Sequence, residues 1–292
     1  MNRPRFCLIV AAFLASAASL SAQSSVWKVT RDDGTLYLGG TCHTLRPSDL
    51  PIPEEYSIAF DAAATLVFET DIARMQSIGV QSKLMASLMF TDGTRLSSVL
   101  SPEAWTAVQD YCATAGMTPG SIEMFKPSMI TVMVFALESQ RLGFTPEGVD
   151  VQLDRRARAA GKAIEGLETI DEQIAFVSTL GAGQESELIL STLRDLARIP
   201  TLLDDMVAAW RAGDLERIDA LMSEEVRREF PKIHEELLVK RNKAWLPRIE
   251  AMLASEPVEF VLVGVAHVAG DDGLIHALEQ AGCTIEQLRA AK

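Results

Sequence analysis

The sequence predicts an α/β protein, a central mixed or parallel sheet with helical insertions, and three observations carry that prediction. Apolar runs alternate with helical stretches: an opening hairpin, then helix, strand, many helices, strand, more helices, strand and helix. The first and last of these strands lead into the same pattern, Gly-x-x-His, at Gly40 to His43 and at Gly264 to His267. A composition 48% hydrophobic and 23% charged supplies enough apolar material for a sizeable core, and no low-complexity linker divides it.

The elements follow in order. Arg3 and Arg5 precede an apolar run from Phe6 to about Leu20, and small residues up to Ala22 offer a cleavage site. Residues 1–22 are therefore expected to be a secretory signal peptide, and residues 23–292 a single domain. The run is short for a span of about 20 apolar residues, so no membrane span is expected after signal removal. Residues 26–29 and 35–38 read as strands joined by a turn at Asp32-Asp33-Gly34, whose Asp-Gly pair is a hairpin signal. A helix over 54–64 follows Pro51 and Pro53, and the apolar run 65–68 reads as a buried strand ending at Glu69. Residues 74–144 read as helical, with Pro102 in the first turn of one helix. A helix over 151–160 is expected to be capped by Asp150 and closed by Gly161, before a short strand over 162–167. Residues 171–253 are helical again, residues 259–263 a strand, and residues 272–281 a final helix.

Charge narrows the partners. The chain carries 27 basic and 40 acidic residues; without Arg3 and Arg5 it has 25 against 40, a charge near −15. Such a chain, lacking a basic stripe, is poorly suited to nucleic acid or anionic membrane surfaces. Beyond Cys7 in the leader, three cysteines remain: Cys42, Cys112 and Cys283. An oxidising compartment permits one disulfide, Cys112 to Cys283 being one option, while Cys42 reads as a small buried residue beside His43 or as a thiolate.

Only four histidines occur: His43, His234, His267 and His276. In open α/β sheets, binding sites lie beyond the carboxyl ends of strands. Gly40 and Gly264 are expected to turn the backbone there, so that His43 and His267 face one site if their strands are neighbours. One histidine alone would read as a satisfied strand-end residue; two in matched settings point to a shared site. His234 is expected to be solvated and His276 to pack. Two imidazoles need oxygen partners to hold a divalent ion with an open position. Glu69 leads, because a strand-end acid in an apolar setting needs pairing or ligation. Asp150, Glu165 and Glu168 follow, with Asp150 also readable as a helix cap and Glu168 as a turn or cap acid.

In this order the residues resemble the TraB/GumN/TIKI family. The segment YLGGTCHTL (residues 37–45) is similar to that family's first motif, and VFETD (67–71) to its acidic strand end. GVD (148–150) and GKAIEGLET (161–169) with Gln173 match the central block. RNKAW (241–245) and FVLVGVAHVAGDDGL (260–274) match the closing blocks. Two positions depart: Cys42, where the family more often has an aliphatic residue, and Ser128, where Trp is common. The resemblance implies a fold related to erythromycin-esterase-like and ChaN-like proteins, and metal-dependent proteolysis using manganese or cobalt, as in animal TIKI members.

The functional expectation is an exported metal-dependent hydrolase, a peptidase with a peptide or protein substrate, periplasmic or secreted. His43, His267 and Glu69 would hold a divalent ion, manganese or cobalt by resemblance, with zinc possible. Such an ion lowers the pKa of water from 15.7 to about 7. Glu69 or Glu168 would take the proton, and Arg241 or Asn242 would meet the developing oxyanion, Arg241 reading equally as a surface cation. Two rivals stand beside this: a periplasmic haem- or iron-binding protein without catalysis, and a metal-independent esterase-like hydrolase with His43 as base. The substrate's identity and the oligomeric state stay open at this level.

Overall fold

The computed structural model describes residues 23–254 and 256–290, so the expected signal peptide at 1–22 lies outside the described residues. Six strands form one mixed sheet: β1 (Gln23–Arg31), β2 (Gly34–Thr41), β3 (Thr65–Phe68), β4 (Ala163–Gly166), β5 (Glu259–Gly264) and β6 (Thr284–Arg289). Their spatial order is β4-β3-β5-β2-β1-β6, with β2, β5, β3 and β4 mutually parallel and β1 antiparallel to both its neighbours. Every residue of β3 and of β5 is buried, as the uninterrupted TLVF and EFVLVG runs require of strands covered on both faces.

Two local readings change. In the β1–β2 hairpin Arg31 pairs with Gly34, so Asp32 and Asp33 make the turn and Asp32 takes the positive φ of 53°. Gly34 instead opens β2, where a Cβ would lie 1.7 Å from the Leu253 carbonyl oxygen. The chain also does not end on a helix: after Leu274–Gln280, β6 pairs with the outer edge of β1. Its Thr-Ile-Glu-Gln-Leu-Arg sequence has weak strand propensity, and pairing to a waiting edge prevails over it.

The main core sits on both faces of the sheet. Trp210, from the helix Ile199–Ala212, is fully buried and donates its indole N–H to the Gly40 carbonyl at 2.9 Å. The Tyr56 hydroxyl donates to the same carbonyl. A second apolar cluster lies in the helical insertions, around Leu96, Val108, Ile122, Ile130, Val134 and Ile189. Leu196 packs against both clusters. The Cys112–Cys283 option fails here: Cys112 belongs to the helical cluster, Cys283 to the sheet core, and all three described cysteines are free. Among the described residues no helix is long and apolar enough to cross a membrane.

Candidate active site

The sheet order makes β2 and β5 parallel neighbours, with Thr41 opposite Gly264, so both Gly-x-x-His segments leave the sheet at one edge. β3 lies on the far side of β5 and delivers Glu69 to the same edge; β4 then delivers Glu168, whose N–H donates to the Glu69 carbonyl at 2.7 Å. The glycines do not turn the backbone as expected. Gly40 lies within β2, and Gly264 has φ −51°. They give room instead. A Cβ on Gly264 would sit 3.2 Å from Glu69 Oε1, 3.3 Å from His43 Nε2 and 3.7 Å from His267 Cδ2. Three functional groups from distant segments thus converge around one point that only glycine leaves empty.

Each imidazole is oriented by its far nitrogen. His43 Nδ1 lies 2.9 Å from Asp150 Oδ2, and since a carboxylate only accepts, Nδ1 carries the proton and Nε2 faces the centre. Thr41 Oγ1 donates to the other Asp150 oxygen at 2.7 Å. The Asp150 carboxylate lifts the His43 pKa to about 9 against the cost of desolvation. That ring is 64% exposed, at the mouth of the site. His267 is buried, its ring 4.5 Å from that of Trp245. Its Nδ1 lies 2.7 Å from Asn242 Oδ1, while the Asn242 amide donates to the carbonyls of His267 and Asp272. Those two donations fix Oδ1 as the acceptor, so Nδ1 again carries the proton. Burial, reinforced by Arg241, brings the His267 pKa down to about 3, so the ring is neutral.

Arg241 is the centre's fixed cation. It donates to Glu69 Oε2 at 2.7 Å, to both Glu168 oxygens at 2.7 and 3.0 Å, and to Gln173 Oε1 at 3.3 Å. Its guanidinium lies over the rings of Trp245 and Phe176. Nη1 reaches the free Nε2 of His267 at 3.1 Å. Glu69 Oε1 accepts from the Gly264 N–H at 2.6 Å. Burial works to raise the Glu69 pKa, but His267, Arg241, His43 and the Gly264 N–H outweigh it and bring it to about 2. With His267 neutral above about pH 3, Arg241, the protonated His43 and the Gly264 N–H hold it down near neutrality.

The structure therefore brings together His43, His267, Glu69, Glu168, Arg241 and Asn242. It redistributes their parts. Arg241 is a buried ion-pair partner and not a surface cation. Both amide hydrogens of Asn242 go to backbone carbonyls, which leaves none for an oxyanion and makes it the support of His267. Asp150 does not cap its helix: Gly148 is the cap of Val149–Ala160, and the Asp150 side chain turns to His43. Thr169 caps the next helix, which frees Glu168 to meet Arg241 and the Trp245 indole N–H. Glu165 lies within β4, short of the edge where Glu168 sits. Cys42 is buried against Met206 sulfur, and burial together with Asp150 pushes its pKa well up, so it stays a thiol. His234 is buried, with Nε2 3.0 Å from Asp272 Oδ2, against the expectation of a solvated ring.

The donor chemistry fits a divalent ion. Both imidazoles carry a proton on Nδ1, held by Asp150 and Asn242, and turn Nε2 inward beside one carboxylate oxygen, around a hollow that a Cβ would fill; near neutral pH an ion would displace the second proton of His43. Among the described residues no three His, Cys, Asp or Glu side chains are drawn tightly enough to form a metal-holding group as they stand. Arg241 competes for one donor, since Nη1 holds the His267 lone pair.

What these features define is an α/β protein with a charged, half-enclosed centre at the carboxyl edge of its parallel strands. A model of the TraB/PrgY/gumN family matches residues 25–287, nearly the whole chain, and the chain belongs to that family. No curated protein and no solved structure matches it.

Proposed function

We propose that the chain is an exported, metal-dependent hydrolase that cleaves peptide bonds, with manganese, cobalt or zinc held by His43, His267 and Glu69. The observation that carries this reading is the convergence of those three side chains around the empty Cβ position of Gly264. An ion bound there supplies Lewis-acid polarisation of a carbonyl and acidifies water. Asp150 and Asn242 orient the two rings, so little reorganisation accompanies binding. Both carboxylates engage Arg241, but Glu69 alone lies beside the two imidazoles, so Glu69 is the ligand and Glu168 or Glu69 the proton acceptor. The Arg241 Nη1 hydrogens point towards the centre and suit a developing oxyanion.

The contact between Arg241 and His267 supports a second reading, a metal-independent hydrolase in which His43, paired with Asp150, is the base as pH rises towards 9 and its ring loses a proton, and Arg241 is the electrophile. Metal analysis and cleavage of a peptide library with and without exhaustive chelation separate the two. The first reading expects bound metal and cleavage in the wild type, both lost in His43→Ala. Undiminished cleavage after chelation would favour the second, and full metal content in both His43→Ala and His267→Ala would defeat the first. A Soret band formed with haemin and lost in His43→Ala would instead support haem capture. Export is tested by locating the N-terminus of the protein outside the cytoplasm.

A further inference from the structure

A cavity of about 770 Å³ opens from Arg241, Glu168 and Trp245 and runs away from the imidazoles between two helical walls. One wall is the helix Ile170–Thr179, which presents Glu172, Ala175, Phe176 and Thr179 on one face. The other is formed by Ile233, the segment Glu235–Val239 and the start of the helix Lys240–Met252, where Ala244 faces the cleft. The volume lies within the roughly 300–1,000 Å³ of small-molecule sites.

Two further features make this cleft part of the site. Residues 235–239 are wound as a π-helix, with the Lys240 N–H bonded to the Glu235 carbonyl, ending two positions before Arg241. Such an inserted residue is commonly found at functional positions. The charges along the rim, Glu172, Glu235 and Glu236 against Lys232 and Lys240, nearly balance. Lys240 pairs with Glu236, Glu172 is bound within its own helix cap, and Arg241 is matched by Glu69 and Glu168. Lys232 and Glu235, of opposite sign, are the lining charges outside these pairs, so an occupant meets no net unmatched charge, while Phe176 and Leu180 offer apolar surface above the buried Ile233 and Trp245.

We infer that this cleft is the subsite for a bulky apolar side chain of the peptide substrate, next to the bond that is cleaved; the inference rests on the hydrolase reading above. It makes large aliphatic or aromatic residues, rather than charged ones, the specificity determinant. The test uses fluorescein-labelled alanine–serine peptides, with a single Phe walked along the sequence, binding to the full-length His43→Ala protein by anisotropy. At one position Phe is expected to tighten binding at least about tenfold over Ala, the scale of a filled apolar pocket. Ala175→Trp and Ala244→Trp, each added to that protein, fill the cleft and should each abolish the preference. Both alanines are exposed, so the new rings meet solvent and not the core, and circular dichroism checks the fold. Equal binding of Phe and Ala peptides, no binding, or a Phe preference indifferent to both tryptophans overturns the subsite. A Phe preference removed by the tryptophans, with no cleavage by the wild type, sinks the hydrolase reading alone and supports the subsite.

Discussion

Two buried glutamates at opposite ends of the same sheet show what separates a site from a packing accident. Glu69, at the carboxyl edge, and Glu259, at the start of β5, are each 8% exposed. Burial pushes both towards the neutral acid. Glu69 nevertheless falls to about 2, because His267, Arg241, His43 and the Gly264 N–H surround it. Glu259 is pushed up to about 7: burial is joined by Glu165 and Glu256, and its Oε2 has no hydrogen-bond partner among the described residues. Equal burial goes with opposite pKa shifts, so the surrounding donors, not depth, make the carboxyl edge an electrostatic centre.

The most damaging way to break the contrast is Arg241→Ala. It would leave Glu69 and Glu168 buried without their cation, as Glu259 is, and removal of one partner from a buried pair costs about 3–5 kcal/mol. Urea unfolding near neutral pH measures this; a loss under about 1 kcal/mol would mean that the guanidinium is not the partner that keeps Glu69 ionised.

A finer probe compares the two histidines within the edge. His267 is buried, stacked on Trp245 and bonded to Asn242, so His267→Ala should cost about 2–4 kcal/mol, from the cavity and the unpaired amide oxygen. His43 is 64% exposed, so His43→Ala, which leaves the buried Asp150 with Thr41 alone, should cost only about 1 kcal/mol while abolishing the proposed activity. Equal destabilisation by the two substitutions would contradict the asymmetry of the site.

That asymmetry marks where the sequence stops being legible. Matched Gly-x-x-His patterns placed both rings at strand ends; that they share one edge depended on the two strands being parallel neighbours, which the sheet order supplies. What each ring bonds to did not follow, since Asp150 and Asn242 arrive from helices whose placement no local pattern encodes. Asp150 read as a cap because Asp before a helix usually is one; here Gly148 takes that position. A Cβ on Gly148 would come within 2.3 Å of the His43 backbone, and this close approach seats Asp150 against the ring. The clue was the Gly two residues before the Asp. Trp245 and Gln173 stood within recognisable motifs, yet their contacts with Arg241 and Glu168 depend on long-range packing. β6 was misread because an edge strand borrows its order from β1.

The mildest test works from the other end of the sheet and depends on pH. Glu259 has a folded pKa of about 7 against an ordinary 4.5, so between these values the folded chain binds more proton than the unfolded one. Its contribution to stability is therefore present at low pH and is lost as pH rises from about 4.5 through 7. Glu69 acts in the opposite direction and in a separate window: its contribution is present above about 4.5 and is lost as pH falls towards 2. Glu259→Gln keeps the neutral form at every pH. It should match the wild type near pH 4.5 and exceed it by about 1–3 kcal/mol at pH 8, the difference opening through the same window. Parallel stability curves for the two proteins between pH 4.5 and 8 would show that Glu259 finds a donor in solution, and the contrast between the two glutamates would then reduce to the presence of Arg241 alone.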